Sequence, residues 1–271
     1  MKLTGKPVKR DTLTIRYKGT PVHIAYFIRP GPGKTVLSLH GLGSSKNDFA
    51  RALRVNDLAR YSLAAFDFPG CGNSPYPEEF AFDLDDLVEI THLLVCNLSL
   101  KNVIFVGHSM GGLVSLLYAK RYSKYIEALI NVEGNLAPRD CFFSRIVTGY
   151  GPGGFTEEMF QKFRQELAQS DKPGLREYAG TLHKSANRKA YVDYSRSLVD
   201  YCDNVDLLDK FITLSIPKLF VYGSGNRQLP YLTELEQRGC PLKEVPESGH
   251  FPAYDNPRSY FAIIADFING L

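Results

Sequence analysis

The sequence predicts an α/β fold built on a mostly parallel, doubly wound sheet. Short apolar runs alternate with helical segments along most of the chain, an alternating apolar pattern opens it, and one helix-rich insertion interrupts it. With 271 residues, 44% of them hydrophobic, the chain is long enough for one large domain that carries an insertion.

The first two strands are predicted from alternating apolar residues on either side of a short turn. The alternation covers Thr12–Tyr17 and Val22–Ile28, which indicates an antiparallel hairpin at one edge of the sheet. A turn rich in proline and glycine then leads into a buried strand, Thr35–Leu39. A helix is predicted next, over about Asp48–Tyr61.

The middle of the chain repeats a strand-then-helix pattern, as a parallel sheet with crossover helices requires. The strands are short apolar runs, and the helices carry apolar residues at helical spacing. In chain order these segments are the strand Ser62–Asp67, a helix over about Asp83–Leu98, the strand Val103–Val106, the helix Met110–Tyr122 and the strand Ala128–Val132.

The strand pattern disappears between Asn135 and Asp206. Helical segments such as Glu157–Gln169 and Arg188–Tyr201 replace it, and the glycine-rich residues 149–154 are expected to break any helix. We therefore expect residues 1–134 and 207–271 to form the core of the fold and residues 135–206 to form a helical insertion.

Beyond the insertion the sheet pattern resumes and ends in an amphipathic helix. The segments are the strand Lys218–Tyr222, a helix over Tyr231–Arg238, the strand Leu242–Val245 and the helix Pro257–Ile268.

Composition and charge argue against several functional classes. The 32 Lys and Arg nearly balance the 29 Asp and Glu, so no nucleic-acid partner is expected. No stretch approaches the roughly 20 apolar residues of a membrane-spanning helix, and no signal-peptide core follows the first residues. The five cysteines are far apart and form no C-x-x-C pair, so neither disulfides nor a metal site is expected, and no cofactor is implied. We expect a cytoplasmic protein without stable membrane insertion, whose oligomeric state the sequence leaves open.

Ser109 is the candidate nucleophile. The segment Gly107-His108-Ser109-Met110-Gly111-Gly112 fits the pattern G-x-S-x-G and lies between an apolar strand and a helix. Its glycines permit the strained turn that lifts the hydroxyl above the sheet, and the helix directs its positive end at a developing anion. The alternative is a structural turn with an idle serine.

His250 is the candidate general base, because its loop follows the last strand and opens on the same sheet edge as Ser109. A surface histidine is the alternative.

Two strand ends could supply the acid: one carries Glu133, the other Asn226. We favour Glu133, because an amide cannot stabilise an imidazolium as a carboxylate does, although a carboxylate facing solvent or the insertion is the alternative. Glu133→Gln is expected to cut activity strongly and Asn226→Asp alone to matter little.

Backbone amides are the candidate donors to an oxyanion. We expect one from Met110, directly after the nucleophile, and one from Leu42 in a glycine-rich turn after a neighbouring strand. Other residues near these amides are interpreted as shaping the site. They are His40, Gly41, Gly107, His108 and Gly111.

Four sequence blocks together resemble the α/β-hydrolase family over nearly the whole chain. In family order they are the oxyanion turn His40-Gly41, the D-x-P-G-x-G-x-S loop at Asp67–Ser74, the elbow Gly107–Gly112 and the histidine loop Ser248–Pro252. The resemblance implies an α/β-hydrolase sheet and a lid formed by residues 135–206.

This sequence departs from the family at Asn226, where most members carry the acid. One subgroup of haloalkane dehalogenases instead has a glutamate after the preceding strand, a position similar to that of Glu133. Dehalogenation and epoxide opening in the family use an aspartate nucleophile, so Ser109 disfavours both reactions.

The resulting hypothesis is a serine hydrolase that cleaves a small or medium carboxylic ester through an acyl-enzyme. Thioesters, amides and carbon–carbon bonds next to a carbonyl are alternative substrates, because a fold does not fix a substrate. A slow-turnover ligand-binding or signalling protein is the alternative from another class.

Aromatic residues of the insertion fit either a substrate pocket or the insertion's own core, and we favour the core. They are Phe142, Phe143, Tyr150, Phe155 and Tyr194.

Overall fold

The computed structural model describes residues 7–150 and 154–271, and its centre is one eight-stranded sheet. The strand order is β1-β2-β4-β3-β5-β6-β7-β8, in which β1 and β4 both pair antiparallel with β2 and all other neighbours are parallel. The predicted fold class, with its antiparallel N-terminal hairpin, is confirmed. The strands are β1 (Lys9–Tyr17), β2 (Thr20–Arg29), β3 (Thr35–Leu39), β4 (Ser62–Phe66), β5 (Val103–His108), β6 (Ile126–Val132), β7 (Lys218–Gly223) and β8 (Leu242–Val245).

The α-helices connect the strands and cover both faces of the sheet. None of those in residues 7–150 and 154–271 has the length and apolar character needed to cross a membrane. They are α1 (Leu84–Asn97), α2 (Met110–Arg121), α3 (Phe142–Thr148), α4 (Glu157–Ala168), α5 (Pro173–Ser185), α6 (Arg188–Asn204), α7 (Leu207–Ile212), α8 (Leu232–Gln237), α9 (Pro252–Asp255) and α10 (Pro257–Asn269).

The segment after β3 differs from the single helix that we predicted over Asp48–Tyr61. It forms two 3₁₀ helices, Lys46–Arg54 and Asn56–Leu58, separated by Val55 in an extended conformation. A β-branched residue followed by Asn-Asp favours local turns over a continuous α-helix, which explains the interruption.

The central strands of the sheet are buried on both faces, and the two faces carry separate hydrophobic clusters. Every residue of β3 and β5 is buried, as expected for central strands of a parallel sheet covered by helices. Because these strands are fixed by packing on both sides, the loops at their carboxyl ends have a rigid base.

Helices α3 to α6 lie between β6 and β7, and hydrogen bonds join them to loops at the carboxyl edge of the sheet. The Tyr178 hydroxyl of α5 donates to the Leu42 carbonyl at 2.8 Å, and the Tyr194 hydroxyl of α6 donates to the Pro69 carbonyl at 2.7 Å. Helix α3 ends at Thr148, whereas the centre of the glycine-rich stretch, residues 151–153, lies outside the described residues. The insertion therefore packs directly on the loops that carry the candidate site.

Candidate functional site

Ser109 lies at the sharp turn between β5 and α2, with a φ of +52°. This left-handed conformation is strained for a residue with a side chain and is typical of functional turns. Two glycines make the turn sterically possible. A Cβ at Gly107 would lie 2.4 Å from the Gly111 carbonyl oxygen, and one at Gly111 would lie 2.3 Å from the Leu39 carbonyl oxygen.

Glu133 and His250 form a direct contact at the edge where β6 and β8 end. The His250 Nδ1 lies 2.8 Å from the Glu133 Oε2, and both side chains are largely buried. A carboxylate accepts only, so Nδ1 carries the proton in this contact. The other ring nitrogen, Nε2, is then the one that can accept a proton.

Asn226 contacts the same carboxylate. Its Nδ2 donates to both Glu133 oxygens, at 2.9 and 2.7 Å, and the Gly223 N–H donates to Oε1 at 2.7 Å. The residue that stands where most family members carry the acid thus holds Glu133 in place. The sequence pattern did not predict this role of Asn226, although an amide at the strand end beside Glu133 was a signal for it.

The turn after β3 lies against the elbow. A Cβ at Gly41 would come within 3.2 Å of the Ser109 Cβ, so glycine permits this close approach. Leu42 and Ser109 line the same cavity. Met110 is the first residue of α2, where a backbone N–H has no acceptor within the helix.

The two buried histidines near the elbow hold backbone in place. The His40 Nδ1 lies 2.8 Å from the Gly41 carbonyl oxygen, and its Nε2 accepts from the Phe68 N–H at 3.0 Å. The His108 Nε2 lies 2.7 Å from the His250 carbonyl oxygen. Burial lowers the pKa of His40 and lowers that of His108 to about 3, so both rings are neutral at physiological pH.

A buried ion pair joins two of the loops around the site. The Asp67 carboxylate is fully buried and accepts from the Lys46 ammonium, from the Lys46 N–H at 2.7 Å and from the Asn73 N–H at 2.8 Å. These hydrogen bonds satisfy a charge that would otherwise be costly to bury. Sequence patterns do not reveal this pair, because its members are 21 residues apart.

Asp48 links the turn after β3 to α9, because its carboxylate accepts from the Ser44 and Tyr254 hydroxyls. Burial raises the pKa of Asp48 to about 6, from an ordinary value of 3.8. The folded protein therefore binds a proton that the unfolded chain releases, and stability falls as the pH rises between these two values. At about 1.4 kcal/mol for each pH unit in this interval, the loss is about 3 kcal/mol.

We expect Asp48→Asn to remove this loss. The difference between the free energies of unfolding, wild type minus variant, should fall from about pH 4 to about pH 6 and then stay constant. Urea unfolding of both proteins at several pH values measures this difference. A difference that does not depend on pH would contradict the raised pKa.

Two cavities meet at His250. The narrow inner cavity, of about 20 Å³, is lined by Ser109 and His250, whereas the outer one, of about 460 Å³, is lined by His250 and Glu133. Phe142 and Phe143 line both cavities, and the Phe142 ring centroid lies 5.1 Å from that of His250.

The insertion's aromatic residues therefore divide between those that line a cavity and those that are buried in hydrophobic packing. Phe142 and Phe143 line the cavities, whereas Phe155 and Tyr194 are buried in the hydrophobic cluster that the insertion shares with one face of the sheet, and not in a separate core of the insertion. Tyr150 is partly exposed and packs beside Phe155.

Comparison with known proteins agrees with this architecture. A family model described as "Alpha/beta hydrolase family" matches residues 36–263. A pimeloyl-[acyl-carrier protein] methyl ester esterase of Aeromonas hydrophila is 27% identical over 267 residues, covering 89% of this chain and 97% of that protein. The AB hydrolase superfamily protein YisY of Bacillus subtilis is 26% identical over 274 residues, covering 93% and 98%.

Solved structures of similar fold include a carboxylesterase from Nitrososphaera gargenis, with a TM-score of 0.78 at 15% identity over 96% of this chain and 98% of that one. A thermophilic esterase from Thermogutta terrifontis has a TM-score of 0.73 at 18% identity, covering 97% and 98%. At these identities the likeness concerns the fold alone. Because the family model spans most of its length, the chain belongs to the alpha/beta hydrolase family.

Proposed function

We propose that this protein is a serine hydrolase that cleaves a carboxylic ester with a short acyl group. The observation that carries the proposal is the 2.8 Å contact between Glu133 and His250 beside the cavity that Ser109 lines. A serine hydroxyl needs a base to become a nucleophile, and a histidine held by a carboxylate is such a base. The name of the methyl ester esterase among the sequence relatives supports this class of substrate.

The proposed reaction has two stages. The Ser109 Oγ attacks the ester carbonyl carbon while the His250 Nε2 takes the hydroxyl proton, and the imidazolium is stabilised by Glu133. Collapse of the tetrahedral intermediate breaks the bond to the alcohol, which leaves with that proton. Water, deprotonated in turn by His250, then attacks the acyl-enzyme and releases the acid, restoring Ser109.

We assign the oxyanion to the backbone N–H groups of Leu42 and Met110. The position of the Leu42 N–H depends on the insertion, because the Tyr178 hydroxyl of α5 donates a hydrogen bond to the Leu42 carbonyl. The same contact supports residues 135–206 as a lid that both covers and orders the site. Such a lid excludes water and strengthens hydrogen bonds to the developing charge.

The two cavities indicate which part of the substrate each one accommodates. We assign the acyl group to the inner cavity, because the acyl carbon bonds to Ser109, and the alcohol to the outer cavity beside His250. The inner cavity is far narrower than the outer one, so it has room for a group of only a few atoms. Phe143, Tyr178 and Phe251 limit its extension.

The acyl preference is therefore a testable prediction. Among p-nitrophenyl esters, kcat/KM should be highest for acetate to butyrate and at least about tenfold lower for octanoate, since longer chains clash with a packed lining. Initial rates of nitrophenol release across the series measure this profile. A profile that rises steadily with chain length would contradict the assignment of the acyl group to the inner cavity.

Counting turnovers separates an esterase from a ligand-binding protein on the same scaffold. An esterase releases many equivalents of nitrophenol per protein, whereas a binding protein with residual reactivity releases about one and keeps the acyl group. Intact-mass analysis during the reaction shows whether the acyl-enzyme accumulates. A single equivalent together with a persistent adduct would overturn the proposed function.

A further inference from the structure

Asn135 has a buried amide oxygen without a hydrogen-bond partner among the described residues, and the residue lines the inner cavity with Ser109. Its side chain is 3% exposed. Buried polar atoms are almost always hydrogen-bonded, because an unmet acceptor loses its interaction with water without compensation. An unmet acceptor in a substrate cavity therefore points to a donor that arrives with the ligand.

The hydrogen bonds around Cys141 fix the orientation of the Asn135 amide. The Asn135 Nδ2 donates to the Cys141 Sγ at 3.6 Å, and the Cys141 thiol donates to the Leu198 carbonyl at 3.5 Å. The reverse orientation would set the amide oxygen against a sulfur whose proton is already used. The amide nitrogen is thus held by the protein, and Oδ1 is the atom without a partner in the part of the chain that the structure describes.

Some of the other polar groups that line the inner cavity have partners inside the protein. The Ser44 hydroxyl donates to Asp48, and the His108 Nε2 contacts the His250 carbonyl oxygen. Phe142, Phe143 and Leu198 contribute apolar side chains to the lining, and Ser144 contributes a further hydroxyl. Asn135 is therefore a buried acceptor beside apolar side chains of the cavity.

We propose that Asn135 determines specificity by accepting a hydrogen bond, through Oδ1, from a hydroxyl or N–H on the acyl group of the substrate. The preferred substrates are then short acyl esters that carry such a donor, with hydroxyacyl esters as the simplest members. This inference rests on the proposed ester hydrolysis and adds a substrate class to it. A site that provides an acceptor discriminates against an analogue that lacks the donor, because the acceptor is then left unpaired.

Isosteric ester pairs test the proposal directly. Methyl lactate and methyl isobutyrate differ by a hydroxyl in place of a methyl group next to the carbonyl, and methyl 3-hydroxybutyrate and methyl isovalerate differ in the same way one carbon further out. Acid release gives kcat/KM for each ester with the wild type and with Asn135→Leu. Dividing the hydroxy-to-methyl ratio of the wild type by that of the variant cancels the intrinsic reactivity of the esters.

We expect this quotient to be about ten or more for at least one pair. Asn135→Asp keeps an acceptor at this position, so it should retain the preference for the hydroxy ester even where its overall rate is lower. Ser195→Ala is the matched control: Ser195 also has a buried oxygen without a partner among the described residues, but it does not line either cavity. Its quotient should stay near one.

The outcomes distinguish the role of Asn135 from the proposed ester hydrolysis. A quotient near one for Asn135→Leu in both pairs, with the methyl-branched esters still hydrolysed, overturns the role of Asn135 and leaves the esterase proposal intact. The absence of turnover on every ester by the wild type overturns the proposed function itself. If Asn135→Leu does not fold, Asn135→Asp decides, because loss of the hydroxy preference in a variant that keeps the acceptor contradicts the proposal.

Discussion

Ser109→Ala is expected to lower kcat on a short p-nitrophenyl ester by about 10⁶, to near the rate without nucleophilic catalysis. The variant retains the cavity, the Glu133–His250 contact and the backbone N–H groups, so substrate binding should change much less than kcat. Initial rates, together with intact mass after treatment with a fluorophosphonate, measure the effect. The wild type should gain one adduct and the variant none.

Two features make Ser109→Ala a clean test. Alanine removes only the hydroxyl oxygen, and Ser109 already adopts a φ of +52° with a Cβ present, so the strained turn keeps its steric demands. Thermal unfolding of the variant should match that of the wild type within a few degrees. Residual activity within about tenfold of the wild type, or an adduct that persists, would exclude Ser109 as the nucleophile.

Glu133→Gln is expected to lower kcat by about 10⁴ with little change in KM. The Gly223 N–H donates to Oε1, so a glutamine would keep its oxygen there and turn its NH₂ group toward the His250 Nδ1. Histidine would then have to accept at Nδ1 and carry its proton on Nε2. In that tautomer the ring cannot take the proton from Ser109.

The test compares kcat, KM and thermal unfolding for Glu133→Gln with those for Asn226→Asp. Asn226→Asp keeps the carboxylate that faces His250 and should lose far less kcat, in line with the expectation from sequence. The new carboxylate, however, lies against both Glu133 oxygens, and repulsion between the two carboxylates accounts for a partial loss. Equal losses of kcat in the two variants would contradict the assignment of Glu133 as the acid.

The strand-and-helix order of this fold follows from local sequence. Central strands such as β5 are unbroken apolar runs. The G-x-S-x-G turn is recognisable from its glycines, because a Cβ at Gly107 or Gly111 would clash with backbone oxygens. The segment after β3 was the exception. A helical apolar pattern predicted one α-helix, whereas Val55 and the residues after it form two short 3₁₀ helices instead.

Residue chemistry alone was sufficient to favour Glu133 over Asn226 as the acid. Only a carboxylate can balance an imidazolium, so the sequence favoured Glu133 before any distance was known. The sequence could not reveal that Asn226 donates to both Glu133 oxygens. This contact arises from β6 and β7 lying side by side, and strand neighbours are set by tertiary packing.

By itself, the sequence determined the α/β class, the strained serine turn and the residue types needed for acyl transfer, because each depends on short-range sterics or on the chemistry of a side chain. Only the tertiary structure decided the partners that are far apart in the chain. The contacts of Glu133 with His250, of Tyr178 with Leu42 and of Lys46 with Asp67 depend on how loops converge at one edge of the sheet. The Asn135 oxygen, which has no partner within residues 7–150 and 154–271, belongs to the same group, because a missing partner is defined only once the neighbours are in place.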